Sequence, residues 1–384
     1  MLRPTPFDLA TGTLLGVAPP PPRRPAPVGV PDPLGALDAA VLAGLSRPPC
    51  VVSFSGGLDS SLILAVAVRA ARREGLPDPV PVTWRFTGAP RADESDWQER
   101  VIGALGIGES WEILRADDDL DLVGPVARRL LHRHGVVHPV NLHLHLPIAE
   151  LAAGGSLLTG AGGDQILAGW RRPPAASLRD RLWWLRHAAR TRQGPAATFP
   201  WLRPSVAREA HRSVRAELRA EPRELRHRVA WHTRRRDLLM TCSALTTLAA
   251  EHQATAIQPL LDEGFLAALT LLAGDRRNVG RDRLLAEIVR GALPAEVTAP
   301  RRKARFLEVF LRAPTREFVH SWDGSGADPQ LVDPDGLRRL WSHWPIPGGT
   351  ASLVQQLWLA ANPAGPTGTA GRPERSDIDV EVKS

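Results

Sequence analysis

Apolar and polar positions change their period repeatedly along this chain, and each change predicts an element. From residue 35 onward, apolar runs of strand length alternate with longer stretches that carry an apolar stripe at helical spacing. The pattern predicts a helix over 35–45, a strand over 50–54 and a helix over 58–74. Arg69, Arg72 and Arg73 followed by Gly75 suit the end of that helix. A strand over 80–86, a helix over 93–105, a strand over 111–114, a helix over 122–134 and a strand over 156–159 follow. Strand–helix alternation of this kind argues an α/β fold with a doubly wound parallel sheet. Ligands bind such sheets at the carboxyl ends of the strands.

After about residue 175 the strand signals fade. Stretches at 177–192, 204–220 and 223–250 read as amphipathic helices, and more follow near 262–273, 280–291, 304–321, 334–344 and 350–361. The C-terminal part is therefore expected to be mostly helical. Residues 1–34 are proline-rich and read as an extended arm, with a small hairpin around Thr11-Gly12. The tail over 362–384 is rich in Pro, Gly and charge and is expected to be disordered. One domain over 35–361 lies between them, without internal repeats.

Composition narrows the function. At 384 residues with 43% hydrophobic content, the chain can bury a large core. Its only cysteines, Cys50 and Cys242, exclude a disulfide scaffold and fit a reducing, cytoplasmic setting. No secretory signal and no apolar run of membrane-spanning length is recognised, so no membrane partner is expected. The formal charge of +7 is carried almost wholly by arginine. Those arginines are interspersed with acids along helices, as on a solvated face, so nucleic acid is not the expected partner. Tyrosine is absent, which removes any tyrosine-based mechanism.

The stretch Val51-Val52-Ser53-Phe54-Ser55-Gly56-Gly57-Leu58-Asp59-Ser60-Ser61 carries the clearest chemistry. A strand feeding a glycine turn into a helix N-terminus offers free backbone N–H groups and a favourable dipole to an anion. Gly56 and Gly57 let backbone approach a phosphate, and Ser55, Ser60 and Ser61 add hydroxyls. Asp59 would repel that phosphate unless it holds a Mg²⁺ bridging to the phosphate oxygens. No Gly-Lys-Ser/Thr follows, so this is not a Walker loop. It resembles the pyrophosphate loop of ATP pyrophosphatases, which cleave ATP between its α and β phosphates.

A second strand end, Leu158-Thr159-Gly160-Ala161-Gly162-Gly163-Asp164-Gln165, repeats the plan. Asp164 is either a helix N-cap or a second carboxylate on the same Mg²⁺. Asp93 and Glu94, after the second strand, suit ribose hydroxyls or the helix N-terminus equally well. Asp262, in Gln258-Pro259-Leu260-Leu261-Asp262, reads as an N-cap more readily than as a catalytic group. Lys303, in Arg301-Arg302-Lys303-Ala304-Arg305-Phe306, is the only lysine besides Lys383. It is either a compact charge for a phosphate or part of a solvated helix start. His132, His134, His138, His143 and His145 crowd one stretch without cysteine or acid at ligand spacing. They can be a metal site or, with His143 and His145, a polar wall of a substrate pocket.

Taken together, these motifs in this order resemble the synthetase domain of asparagine synthetases, shared with β-lactam synthetases and lasso-peptide cyclases. The match looks closest to stand-alone asparagine synthase-related proteins and covers roughly 35–360. The family's Ser-Gly-Glu-Gly-Ala-Asp-Glu motif matches Thr159 to Gln165, its Pro-Phe-Leu-Asp matches Pro259 to Asp262, and its Arg-x-Lys-x-x-Phe region ends at Phe306. The resemblance implies ATP and Mg²⁺ as cofactors. It implies ATP contacts from Ser55, Gly56, Gly57, Asp59, Ser60, Ser61, Phe86, Asp93, Gly160 and Gly162. It makes Asp59 and Asp164 the metal ligands, and Lys303, Asp59 and Asp164 the catalytic set. The implied reaction is ATP-dependent, AMP-forming amide synthesis: a small-molecule or peptide carboxylate is adenylated and passed to ammonia or an amine.

The departures concern the nucleophile. The chain begins Met1-Leu2-Arg3 without the family's catalytic cysteine, so no glutaminase in cis is expected, and a separate glutaminase becomes a possible partner. The family's glutamate in the second motif is Ala161, and the following acid is Gln165. A lysine and an arginine of a late helix fall at about Asp282 and Ala286. A non-catalytic nucleotide- or partner-binding scaffold of the same fold is therefore the alternative.

Overall fold

The computed structural model describes residues 1–20, 32–168, 194–277, 279–301, 304–363 and 380–382. Strands β1 (Cys50–Ser53), β2 (Val80–Phe86), β3 (Glu112–Ala116), β4 (Ser156–Leu158), β5 (Thr255–Ile257) and β6 (Val380–Val382) form one sheet in the order β5-β4-β1-β2-β3-β6. The first five are parallel; β6 joins β3 antiparallel, with Leu114 opposite Val380. The doubly wound α/β expectation holds.

Side chains alternate across the sheet, as strand geometry requires. Val51, Val82, Trp84, Leu114 and Leu157 enter one core; Cys50, Val52, Phe54, Ile113 and Leu158 enter the other. The C-terminal helices cover both faces. Arg236–Glu251 and Ala351–Ala361 contribute Leu245, Leu248, Leu353 and Val354 to the first core. Glu263–Ala273 and Arg281–Val289 contribute Phe265, Leu269, Leu284 and Leu285 to the second.

Chain direction across the sheet fixes where a ligand binds. From β1 the chain moves outward to β2 and β3, then returns to place β4 on the other side of β1. The crevice at that reversal lies outside the carboxyl ends of β1 and β4. Both glycine loops emerge there.

Several expectations need correction. β5 was not expected: it has three residues, Thr-Ala-Ile, too short for a period to register. The stretch over 223–250 is two helices, Leu225–His232 and Arg236–Glu251, and that over 304–321 splits into Leu307–Phe310 and Ala313–Ser321. The arm is not extended over its first residues, and Thr11-Gly12 makes no hairpin. Pro6–Thr11 is a helix, started by a Thr5/Asp8 capping box and ended by left-handed Gly12. Asp8 pairs with Arg236 at 2.7 Å, and Trp201 Nε1 donates to the Ala10 carbonyl at 2.8 Å, which docks this helix on the body. In the expected disordered tail, Val380–Val382 instead pairs with the β3 edge, where unpaired backbone groups accept a β-branched segment. The helix expected over 177–192 lies outside the described residues.

Candidate active site

At the carboxyl end of β1, Phe54 N–H still donates to Val82 O, and then the chain turns through Ser55-Gly56-Gly57. Gly56 has φ of 89°, and a Cβ there would press on Gln98 and Glu94, so glycine is required. The loop is tied by its own serines. Ser55 N–H donates to Ser60 Oγ at 3.2 Å, Gly57 N–H donates to Ser55 Oγ at 3.2 Å, and Ser60 Oγ donates to Gly57 O at 3.1 Å. Gln98 Nε2 holds the Ser55 carbonyl at 3.0 Å. Gly57 begins the helix Leu58–Glu74 without a side-chain cap, which leaves its N-terminus to a ligand.

Arg301 braces the loop from the cavity side. Its guanidinium donates to Gly56 O and, at 3.1 Å, to Ser61 Oγ, and lies 4.6 Å from the Trp97 ring centroid. Ser61 is fully buried, so it anchors the loop rather than facing the nucleotide as expected. Burial pushes the Arg301 guanidinium down, and Glu94 opposes that shift.

The second loop meets the first in contact. A Cβ on Gly163 would collide with the Asp59 carboxylate, so only glycine lets the two loops close on each other. Gly162, expected at the nucleotide, packs instead on Leu261, and so fixes the Pro259–Leu261 turn behind the loop. Asp262 caps the next helix by accepting from Gly264 and Phe265 N–H, as its N-cap reading requires.

Asp59 and Asp164 converge on one cation, Arg281. Its guanidinium donates to Asp59 Oδ1 and to Asp164 Oδ1, the latter at 2.7 Å. Arg281 opens the helix Arg281–Val289, one residue before Asp282, where the resemblance placed a lysine. Sequence reasoning missed it, although the missing lysine already marked this turn. The donor set suits magnesium: two carboxylates on one guanidinium, each at a different nitrogen, with the Ser55 and Ser60 hydroxyls on the same loop as Asp59.

These groups line a cavity of about 580 Å³, to which Ser55, Gly57, Asp59, Ser60, Phe86, Gly160 and Asp164 all contribute. Asp93 does not reach it. Its side chain is exposed and accepts from Ser95 N–H at 2.9 Å, while neighbouring Glu94 lines the wall. Lys303 lies outside the described residues.

The histidine stretch disperses. His132 packs against Trp358, His134 pairs with Glu251 at 2.8 Å, and His143 bonds Leu120 O at 2.9 Å inside the core. Only His145 and the neighbouring Pro139, Asn141 and Leu144 reach the cavity. Burial pushes both His143 and His145 down to about 4, so both are neutral near pH 7. Among the described residues no cluster of three or more metal-ligating side chains exists. No described helix is long and apolar enough to cross a membrane.

A family model described as asparagine synthase matches residues 34–364. No curated protein matches the chain.

Proposed function

We propose that this chain, which belongs to the asparagine synthase family by that match, activates a carboxylic acid with ATP and transfers it to ammonia or an amine. Activation proceeds through an acyl adenylate, releasing pyrophosphate and then AMP. The carrying observation is the convergence of Asp59 and Asp164 on Arg281, from two interlocked glycine loops, beside a cavity of about 580 Å³.

The residues divide the work. Backbone N–H groups at the start of Leu58–Glu74 receive phosphate oxygens, with Ser55 and Ser60 holding the loop in shape beforehand. Asp59 and Asp164 are the residues that would hold Mg²⁺, which supplies charge neutralisation to the phosphates. Arg281 and a divalent cation repel one another, so they exclude each other from the point between the two carboxylates. Lys303 is assigned, from the resemblance, to charge developing on the leaving pyrophosphate. Ala161 stands where the family motif has glutamate and burial weakens His145 as a base, so no side chain is assigned to deprotonate the incoming amine. The amine therefore reacts as the free base, supplied from solution or by a separate glutaminase when it is ammonia.

One observation favours a second reading. Arg281 pairs with both carboxylates from within the chain, as a nucleotide- or partner-binding scaffold would need. The readings separate on products. Incubation with Mg·ATP, a carboxylic acid and an amine should give AMP and pyrophosphate in step with amide. Nucleotide binding with no turnover across a broad acid panel supports the scaffold.

A further inference from the structure

We propose that the acid accepted by this site has an uncharged, largely apolar body, such as an aryl or branched aliphatic carboxylate, and is not a diacid or an amino acid with a free ammonium group. The inference rests on the carboxylate-activation reading and adds the substrate class to it.

The cavity straddles the carboxyl end of the sheet, and its two walls differ in kind. Every charged side chain among the described lining residues belongs to the wall around the glycine loops: Asp59, Glu94, Asp164, Arg281, Asp282 and Arg301. The helices behind that wall pack into the core that holds Phe54 and Leu158. The opposite wall grows from the other core. Trp84, Ile148 and Leu245 belong to it, and Leu144 and Ala161 pack against it.

That second wall carries no charged side chain among the described residues, and its polar groups are Asn141, neutral His145 and Thr241. The Trp84 indole N–H is already used by Leu144 O at 3.0 Å, so Trp84 presents its ring. Thr241 donates its hydroxyl to Asp237 O at 2.8 Å, within its own helix. Ala161, on the second glycine loop, adds a methyl where that loop packs against the apolar core. A second carboxylate or an ammonium set against this wall would lose hydration with no counter-charge on it among the described residues, a costly transfer. An apolar body would gain by burial against Trp84, Leu144, Ile148 and Leu245. Phe86 and Phe306, edge to face at 5.9 Å, offer the base of ATP another aromatic surface in the same cavity.

Calorimetric titration of the full chain with Mg²⁺ and α,β-methylene-ATP, followed by 3-phenylpropionate or succinate, tests the proposal. 3-Phenylpropionate should bind the nucleotide-loaded chain at least about tenfold tighter than succinate. Leu144→Ala should weaken it by about fivefold and leave the nucleotide titration unchanged. Leu245→Arg, if folded, should reverse the preference. Equal or tighter binding of succinate, binding of neither acid, or displacement of the nucleotide by 3-phenylpropionate overturns the substrate class while nucleotide binding stands. Failure of the nucleotide to bind in the first titration overturns the activation reading, and this inference with it.

Discussion

The two walls of the cavity were made by different means. The loop wall is short-range: Ser55 to Asp59 and Gly160 to Asp164 are each one strand end and one helix start, drawn together because β1 and β4 are neighbours. The apolar wall is long-range: Trp84, Leu144, Ile148 and Leu245 come from four elements and meet only through helix packing on the sheet. Chemistry that depends on backbone N–H groups and carboxylates can be set by a motif. Selection of a substrate body is set by packing, and can change without touching the motif.

Removing the first carboxylate should produce the largest effect. Asp59→Asn should lower ATP–pyrophosphate exchange by about 10²-fold or more, since a charge aimed at the transferring group is lost. Exchange assays at saturating Mg²⁺ check this. An apolar-wall substitution such as Leu144→Ala should instead move only the apparent acid affinity, and an equal loss of exchange at saturating acid would dissolve the distinction between the walls.

Acid should destabilise the fold next most strongly. Burial pushes His143 down to about 4, below the ordinary histidine value of 6.5. Between those values the unfolded chain binds the proton and the folded chain does not, so stability is complete above about pH 6.5 and is lost as pH falls toward 4. The loss is on the order of 3 kcal/mol for this residue. Chemical denaturation at several pH values measures it, and His143→Gln should flatten the slope. The same depressed value at His145 predicts no inflection near 6.5 in the exchange rate that His145→Gln removes.

Closing the loops on each other should matter slightly less. Gly163→Ala forces a methyl into the Asp59 carboxylate, with an expected cost of about 1–3 kcal/mol and weakened nucleotide binding. Thermal melts with and without Mg·ATP separate the two contributions. Arg281→Ala should act in the opposite direction on the metal. Losing a competing cation worth about 1 kcal/mol should tighten Mn²⁺ or Mg²⁺ binding roughly fivefold, read by metal titration without turnover.

How much of this was legible follows the same division. The glycine loops and the central strands were readable because their signals are local: a period of two, then glycine, then a helix period. Ser61 was misplaced because a helix start looks the same from either side in sequence, and only the packing of Arg301 shows which hydroxyl turns inward. Arg281 was invisible because its partners lie 222 and 117 residues away. The histidines looked like one cluster because they share a segment, yet a bend at Gly135 and packing on separate helices send them apart.

The central claim is adenylation, and ATP–pyrophosphate exchange tests it most directly. The account predicts acid-dependent exchange, strongest with an apolar carboxylate, and its loss in Asp59→Ala and Lys303→Ala. Cleavage of ATP to ADP and phosphate, or exchange that survives in Asp59→Ala, would contradict it.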